Sequence, residues 1–213
     1  METEKVNSKT LITTTIIIIL LDFLLMKLFA LLQIPAYSRV TMTRVIQITV
    51  VLVVVIKLNS GLSAIGLSKE TAVNGIKKGL LWSFGFGCIV GIAFIGFALS
   101  GINPIQLFKT RLPASTIEIL FYFIAGGLIA PIAEEIFFRG ILFGFFRKNG
   151  AVFAAIISTL IFASMHSIGG AVPVVQTIGG LLFAASYEIE KSLFTPIIIH
   201  TLGNIAIFTL SLL

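Results

Sequence analysis

Charged residues and cysteine are scarce in this sequence. Only 11% of its 213 residues are charged, against about 25% in soluble domains. Hydrophobic residues make up 57% of the chain, and its mean hydropathy is +1.10. This composition excludes an ordinary soluble domain, and because the polar breaks are short we expect one integral membrane domain over residues 1–213. Cys88 is the one cysteine, which excludes a disulfide within the chain.

The few charges also argue against nucleic acid as a partner. The net charge is +6, but the basic residues are spread between apolar runs and form no single block. We interpret the excess as membrane topology. With seven spans, nine basic residues fall on one side and four on the other, which predicts a multi-pass cell-membrane protein with a cytoplasmic N-terminus. The nine are Lys5, Lys9, Lys57, Lys69, Lys77, Lys78, Arg147, Lys148 and Lys191, and the four are Arg39, Arg44, Lys109 and Arg111.

Seven apolar runs predict an all-α, polytopic transmembrane helical bundle with its active site inside; the expected count is seven spans, within a range of six to eight. A helix satisfies its own backbone hydrogen bonds in lipid, which favours helix even where β-branched residues abound. The first run is too long for the roughly 7 to 15 residue core of a secretory signal, so we expect it to be retained. The runs are Leu11–Ile34, Val45–Leu58, Gly79–Ser100, Ile117–Arg147, Ala151–His166, Val172–Glu188 and Leu193–Leu213.

Local signals add detail to these spans. Asp22 and Lys27 in the first span are five residues apart, a poor spacing for one helix face, so we expect separate partners. Pro131 predicts a distortion in the long fourth span, since proline removes a backbone hydrogen bond. The third span predicts close helix neighbours at its small residues, because glycine lets backbones approach. These residues are Gly85, Gly87, Gly91 and Gly96.

Three polar clusters interrupt the late spans. At 1.5 Å per residue from the predicted cytoplasmic side, Glu134 lies about 20 Å deep, His166 about 24 Å and His200 about 14 Å. Polar groups inside a bilayer are costly and tend to meet, so one shared site is the economical explanation. The clusters are Glu134 and Glu135 with Arg139, Phe162 with His166, and His200 with Asn204.

The spacings within the clusters predict their roles. Glu135 and Arg139 are four residues apart and can pair on one helix face, whereas Glu134 is rotated about 100° from Glu135 and stays free. His200 and Asn204, also four apart, could donate to one oxygen, which is oxyanion-hole geometry in outline. Glu134 together with His166 could activate a water molecule near neutral pH.

In order and residue type, the motifs Glu-Glu-x-x-x-Arg, Phe-x-x-x-His and His-x-x-x-Asn resemble those of the CAAX protease and bacteriocin-processing family, the Abi family of glutamate intramembrane proteases. The resemblance covers residues 117–213. It implies a membrane endopeptidase without cofactor or metal, acting on a membrane-associated peptide or protein in peptide maturation or bacteriocin self-immunity. It implies catalytic roles for Glu134, His166, His200 and Asn204, and supporting roles for Glu135, Arg139, Pro131 and Phe162.

Three other interpretations stay open at this point. Two carboxylates and two histidines also suit zinc in a metal-dependent protease, although the sequence has no His-Glu-x-x-His signature. A non-proteolytic immunity protein, or a scaffold for another membrane protein, would keep the fold with an idle site. A transporter would use the buried charges along a pathway. For Glu135 and Arg139 themselves, we favour a buried pair that fixes helix register.

Overall fold

The computed structural model describes residues 6–167 and 173–213, and within these ranges the chain is helical without strands. Eight helices follow one another in these ranges, of which one has only five residues. They are α1 (Ser8–Leu31), α2 (Ala36–Leu58), α3 (Lys69–Leu99), α4 (Pro104–Phe108), α5 (Thr116–Asn149), α6 (Ala151–Met165), α7 (Val174–Glu190) and α8 (Phe194–Leu210). The all-α prediction is confirmed.

The seven longer helices correspond in order to the seven predicted spans, with corrections at their ends. Helix α2 begins at Ala36 and not at Val45. Arg44, predicted to lie in a loop, is therefore inside a helix. Helix α3 begins at Lys69 with Ser68 as its N-cap, so it includes ten polar-flank residues before Gly79, the predicted start of the third span. Hydropathy alone misses such polar helical turns. The predicted start of the sixth span, Val172, lies outside the described residues.

Four of the described helical segments are long and apolar enough to cross a membrane: Ser8–Leu31, Ala36–Leu58, Leu62–Leu99 and Thr116–Asn149. Helices α6 and α8 are apolar but have 15 and 17 residues, about 22 to 26 Å at 1.5 Å per residue. Large apolar side chains on α3 are exposed, as lipid contact requires; Phe84 is 72% exposed. The architecture is that of a multi-pass membrane bundle, and the count of seven spans stays a prediction.

Helix α5 carries Glu134 and Glu135, and its backbone departs from α-helical hydrogen bonding at two places. Ser115 caps its start, with Oγ accepting from the Glu118 amide at 3.2 Å. The backbone is π-helical over Phe123–Ile129 and again over Ile136–Phe143, on either side of Pro131. Proline has no N–H to give to the preceding turn, which accounts for a local irregularity. The predicted distortion beside the proline is confirmed.

Helix pairs hold the bundle together: α1 packs on α2, α3 on α8, α6 on α7 and α7 on α8. The glycine prediction for α3 is wrong, because a Cβ at any of the four residues named above would meet nothing within 4 Å. Close approach occurs instead earlier in the helix. A Cβ at Gly79 would lie 2.7 Å from Ile198 Cβ of α8, and the Gly75 carbonyl accepts from Thr195 Oγ1 at 3.1 Å. Only the contacting face needs glycine.

Candidate active site

The predicted pairing of Glu135 and Arg139 is confirmed. Arg139 Nη1 donates to Glu135 Oε1 at 2.9 Å, and both side chains are 0% exposed. Arg139 Nη2 donates to the Gly180 carbonyl of α7 at 3.1 Å. A buried ion pair must recover its desolvation cost through such additional hydrogen bonds. The pair therefore fixes α5 against α7.

Three phenylalanine rings surround the buried guanidinium, the most distant being Phe138, whose ring centre lies 5.9 Å from Arg139 Cζ. Arg139 Cζ lies 4.8 Å from the ring centre of Phe162 and 5.1 Å from that of Phe183. Cation–π attraction strengthens when the cation is desolvated. Phe162 was predicted as a supporting residue. Phe183 and Gly180 were missed, because a phenylalanine or a glycine in an apolar helix carries no signal of its own. A Cβ at Gly180 would lie 3.4 Å from Arg139 Nη2.

Glu134 faces both histidines of the chain. Its Oε2 atom lies 3.9 Å from His166 Nε2 and 3.8 Å from His200 Nε2. The Glu134 side chain is 20% exposed, so it lies at the edge of a cavity and not in the dry core. Helices α5, α6 and α8 thus bring together the three groups that the sequence predicted to meet.

His166 is the C-cap of helix α6, and its contact with the Phe162 carbonyl shows which ring nitrogen carries the hydrogen. Its Nδ1 atom lies 2.8 Å from the Phe162 carbonyl oxygen. A carbonyl only accepts, so Nδ1 carries the hydrogen and donates it. The other nitrogen, Nε2, points at Glu134. In neutral His166 this Nε2 therefore holds a free lone pair.

The Glu135 carboxylate orients His200 so that, as in His166, Nε2 is the nitrogen that faces Glu134. The Nδ1 atom of His200 lies 2.8 Å from Glu135 Oε1, and its ring stacks on Phe183 with centroids 4.6 Å apart and planes at 20°. The same Glu135 oxygen also accepts from Arg139 Nη1, so it acts as the acceptor here and His200 Nδ1 donates to it. Nε2 then faces Glu134. Glu135 is thus more than a register-fixing residue, since it also sets the tautomer of His200.

The gaps between Glu134 and the two histidines suit a bridging water. Both distances exceed the hydrogen-bonding range, and the Glu134 carboxylate facing the lone pair of neutral His166 Nε2 needs a hydrogen between them. A water about 2.8 Å from each group spans such a gap. A cavity of about 150 Å³, lined by Glu134, His166 and Phe138 among others, provides the room. The site can therefore hold a water against a general base.

Asn204 lies on α8 one turn after His200, as predicted, but one of its two side-chain N–H groups already has a hydrogen-bond partner. Nδ2 donates to the Gly126 carbonyl at 2.8 Å, within the π-helical segment of α5. The second Nδ2–H has no partner in the described part of the chain and could donate to a substrate oxygen. The oxyanion role stays a prediction. Pro131 is buried beside this segment.

Within residues 6–167 and 173–213, no group of three or more His, Cys, Asp or Glu side chains is arranged to hold a metal ion. Independence from metal and cofactor stays a prediction.

The chain also resembles known proteins over its second half. Residues 116–206 match the model of a family described as Type II CAAX prenyl endopeptidase Rce1-like. This matched segment covers less than half of the chain. It runs from the start of α5 into α8, and it contains all eight residues to which the motifs assigned roles. Helices α1 to α4 lie outside the matched segment.

Two curated relatives match parts of the chain. The chain is 35% identical over 82 residues to the "Putative membrane peptidase YdiL" of Bacillus subtilis, which is 38% of this chain and 33% of that protein. It is 34% identical over 103 residues to the "Membrane-embedded CAAX protease MroQ" of Staphylococcus aureus, which is 45% of this chain and 40% of that protein. Less than half of each relative is thus covered. No solved structure matches.

Proposed function

We propose that this protein is an intramembrane endopeptidase that hydrolyses a peptide bond of a membrane-associated peptide or protein. One observation carries the proposal: Glu134 Oε2 lies 3.9 and 3.8 Å from the Nε2 atoms of His166 and His200, inside a bundle of apolar helices. The names of the relatives, a membrane peptidase and a membrane-embedded protease, support the same class of activity.

In the proposed first step, a water bound between Glu134 and His166 attacks the scissile carbonyl. The water donates one hydrogen to Glu134 Oε2 and one to His166 Nε2, so its lone pair is left to face the substrate. As the new C–O bond forms, Glu134 takes the water proton. No covalent enzyme intermediate is needed, because the water itself is the nucleophile.

The tetrahedral intermediate carries a negative oxygen that needs donors. His200 Nε2 can donate only when the ring is an imidazolium, because Nδ1 already donates to Glu135. In the proposed mechanism His200 therefore takes up a proton from solvent before the attack and keeps it throughout. The Glu135 carboxylate stabilises that charge, and the second N–H of Asn204 adds a donor. Breakdown of the intermediate then breaks the C–N bond, and protonated Glu134 returns its proton to the leaving amine.

Cleavage by purified protein tests the proposal. The protein is placed in lipid nanodiscs with an N-palmitoylated peptide library, and mass spectrometry identifies any cleaved bonds. We expect the parent and Glu118→Gln to cleave alike, since Glu118 is an exposed carboxylate at the start of the same helix. Glu134→Gln should lose at least about 100-fold in kcat. Asn204→Ala should lose about 100-fold.

Two outcomes would favour the other interpretations. Full activity in Glu134→Gln would remove this residue from the chemistry. Absence of cleavage by folded parent protein across the library would favour a non-proteolytic immunity or scaffold protein. The metal-dependent alternative is tested separately: the proposal expects unchanged activity after 1,10-phenanthroline and EDTA, and loss that zinc restores would establish a metalloprotease.

A further inference from the structure

A second polar cluster lies between α1 and α2, outside residues 116–206. Arg44 of α2 places Nη1 3.4 Å from each carboxylate oxygen of Asp22 of α1 and donates to Gln47 Oε1 at 2.6 Å. Gln47 is 3% exposed and donates from Nε2 to the Ile18 carbonyl at 3.2 Å. These contacts hold the guanidinium in one direction.

Both charges of this cluster lie deep in the hairpin of α1 and α2. Asp22 stands nine residues before the end of α1, and Arg44 eight residues after the start of α2. At 1.5 Å per residue both are about 12 to 14 Å from the connecting turn, near the middle of a hydrocarbon core about 30 Å thick. Ionisable residues at such depth usually serve a site.

The cluster shares a cavity with the candidate active site. Asp22, Arg44 and Gln47 line one side of the 150 Å³ cavity, and Glu134 and His166 line it from α5 and α6. A neighbouring cavity of about 170 Å³ is also lined by Asp22 and Arg44. A peptide chain with its scissile bond at Glu134 would therefore pass Arg44 as it leaves the site.

Arg44 keeps hydrogen-bond donors that its neighbours do not use. All its hydrogen bonds within the described ranges are made through Nη1, so Nε and Nη2 are unpaired there. These two atoms form an edge of the planar guanidinium, the geometry that binds planar oxygen acceptors. The Asp22 side chain is 40% exposed and can still accept.

We propose that Arg44, held by Asp22 and Gln47, binds the main chain of the peptide beside the scissile bond. Nε and Nη2 donate to a peptide carbonyl, and Asp22 accepts from a peptide N–H. The reason is physical: an extended peptide inside the bundle has little water for its backbone groups and needs protein partners. A neutral carbonyl suits the site better than a carboxylate, because the Asp22 carboxylate already pairs with this guanidinium and Glu134 lines the same cavity.

This inference rests on the proposed function for the presence of a peptide, but binding can be measured without cleavage. The probe is an N-palmitoylated, fluorescent decapeptide of alternating alanine and glycine with an amidated C-terminus, which offers main chain and almost no side chains. Its Kd is measured in nanodiscs with Glu134→Gln protein. We expect Arg44→Lys in that background to weaken binding at least about tenfold, because lysine keeps the charge but loses the planar edge.

A charge swap and a matched control complete the test. The swap Asp22→Arg with Arg44→Asp preserves an ion pair and should weaken binding as much as Arg44→Lys. Lys27→Met removes an exposed cation from the same helix as Asp22, next to Phe23, and should leave Kd unchanged. In cleaving protein, Arg44→Lys should raise KM with little change in kcat.

Three results would overturn the proposal. The first is an equal Kd with and without the Arg44→Lys substitution, which would leave only a structural ion pair. The second is failure of the protein that retains Arg44 to bind the probe. The third is that Arg44→Lys weakens binding of a probe with a free C-terminal carboxylate but not of the amidated probe. This result would mean that Arg44 recognises a peptide terminus. A failed proposed function appears differently, as unchanged cleavage in Glu134→Gln.

Discussion

Glu135 serves two partners, and substitutions can separate its effects on stability and on chemistry. Its Oε1 atom accepts from Arg139 Nη1 at 2.9 Å and from His200 Nδ1 at 2.8 Å. Glu135→Gln keeps the shape but removes the charge, which leaves Arg139, at 0% exposure, without its counter-ion. Breaking a buried pair in this way costs about 3 to 5 kcal/mol. We expect a loss of that size in unfolding free energy.

The double variant Glu135→Gln with Arg139→Met removes both charges. Because no buried charge is then left alone, most of the lost stability should return. Under the proposed mechanism activity should not return, since His200 lacks the carboxylate that orients it and that would stabilise its imidazolium. Loss of one oxyanion donor typically lowers kcat by about 100 to 1,000-fold, and we expect a loss of that order.

The assay pairs thermal unfolding in detergent, followed by circular dichroism, with kcat on the peptide that the parent cleaves best. Arg139→Met alone is the control, because it destabilises the fold while Glu135 keeps its contact with His200. Its folded fraction should retain most activity. Parental kcat in a stable double variant would refute the claim that Glu135 acts through His200, and an undestabilised Glu135→Gln would refute the energetic argument.

Two further predictions concern packing and topology. Gly79→Ala should destabilise the protein by about 1 to 3 kcal/mol through overpacking against Ile198, whereas Gly87→Ala, which faces open space, should not lower the melting temperature. For topology, Asn149→Cys in a Cys88→Ser background should react with impermeant maleimide only after the cells are opened, and labelling of intact cells would reverse the predicted orientation.

Features that depend on neighbours along one helix were predictable. The four-residue spacing of Glu135 and Arg139 sets their side chains on one face, and their pairing is confirmed. The cap at Ser115 and the irregularity near Pro131 follow from local hydrogen bonding in the same way. Such signals need no knowledge of how helices pack.

Features that depend on other helices were not predictable. Arg44 follows a polar stretch and was assigned to a loop, because its partner Asp22 stands 22 residues earlier and only packing brings them together. The same limit applies to the four α3 glycines that were predicted to contact a neighbouring helix, namely Gly85, Gly87, Gly91 and Gly96. Their spacing is compatible with a contact, but α8 packs on Gly75 and Gly79 instead.

The sequence by itself determined that the protein is a helical membrane bundle, and that its late helices carry Glu134, His166, His200 and Asn204. Composition and spacing suffice for that, because a bilayer requires apolar helices and makes every polar exception conspicuous. Only the tertiary structure decided which nitrogen of each histidine faces Glu134 and that Glu135 orients His200 across 65 residues. Ring orientation depends on partners from other helices, and no spacing along the chain encodes those contacts.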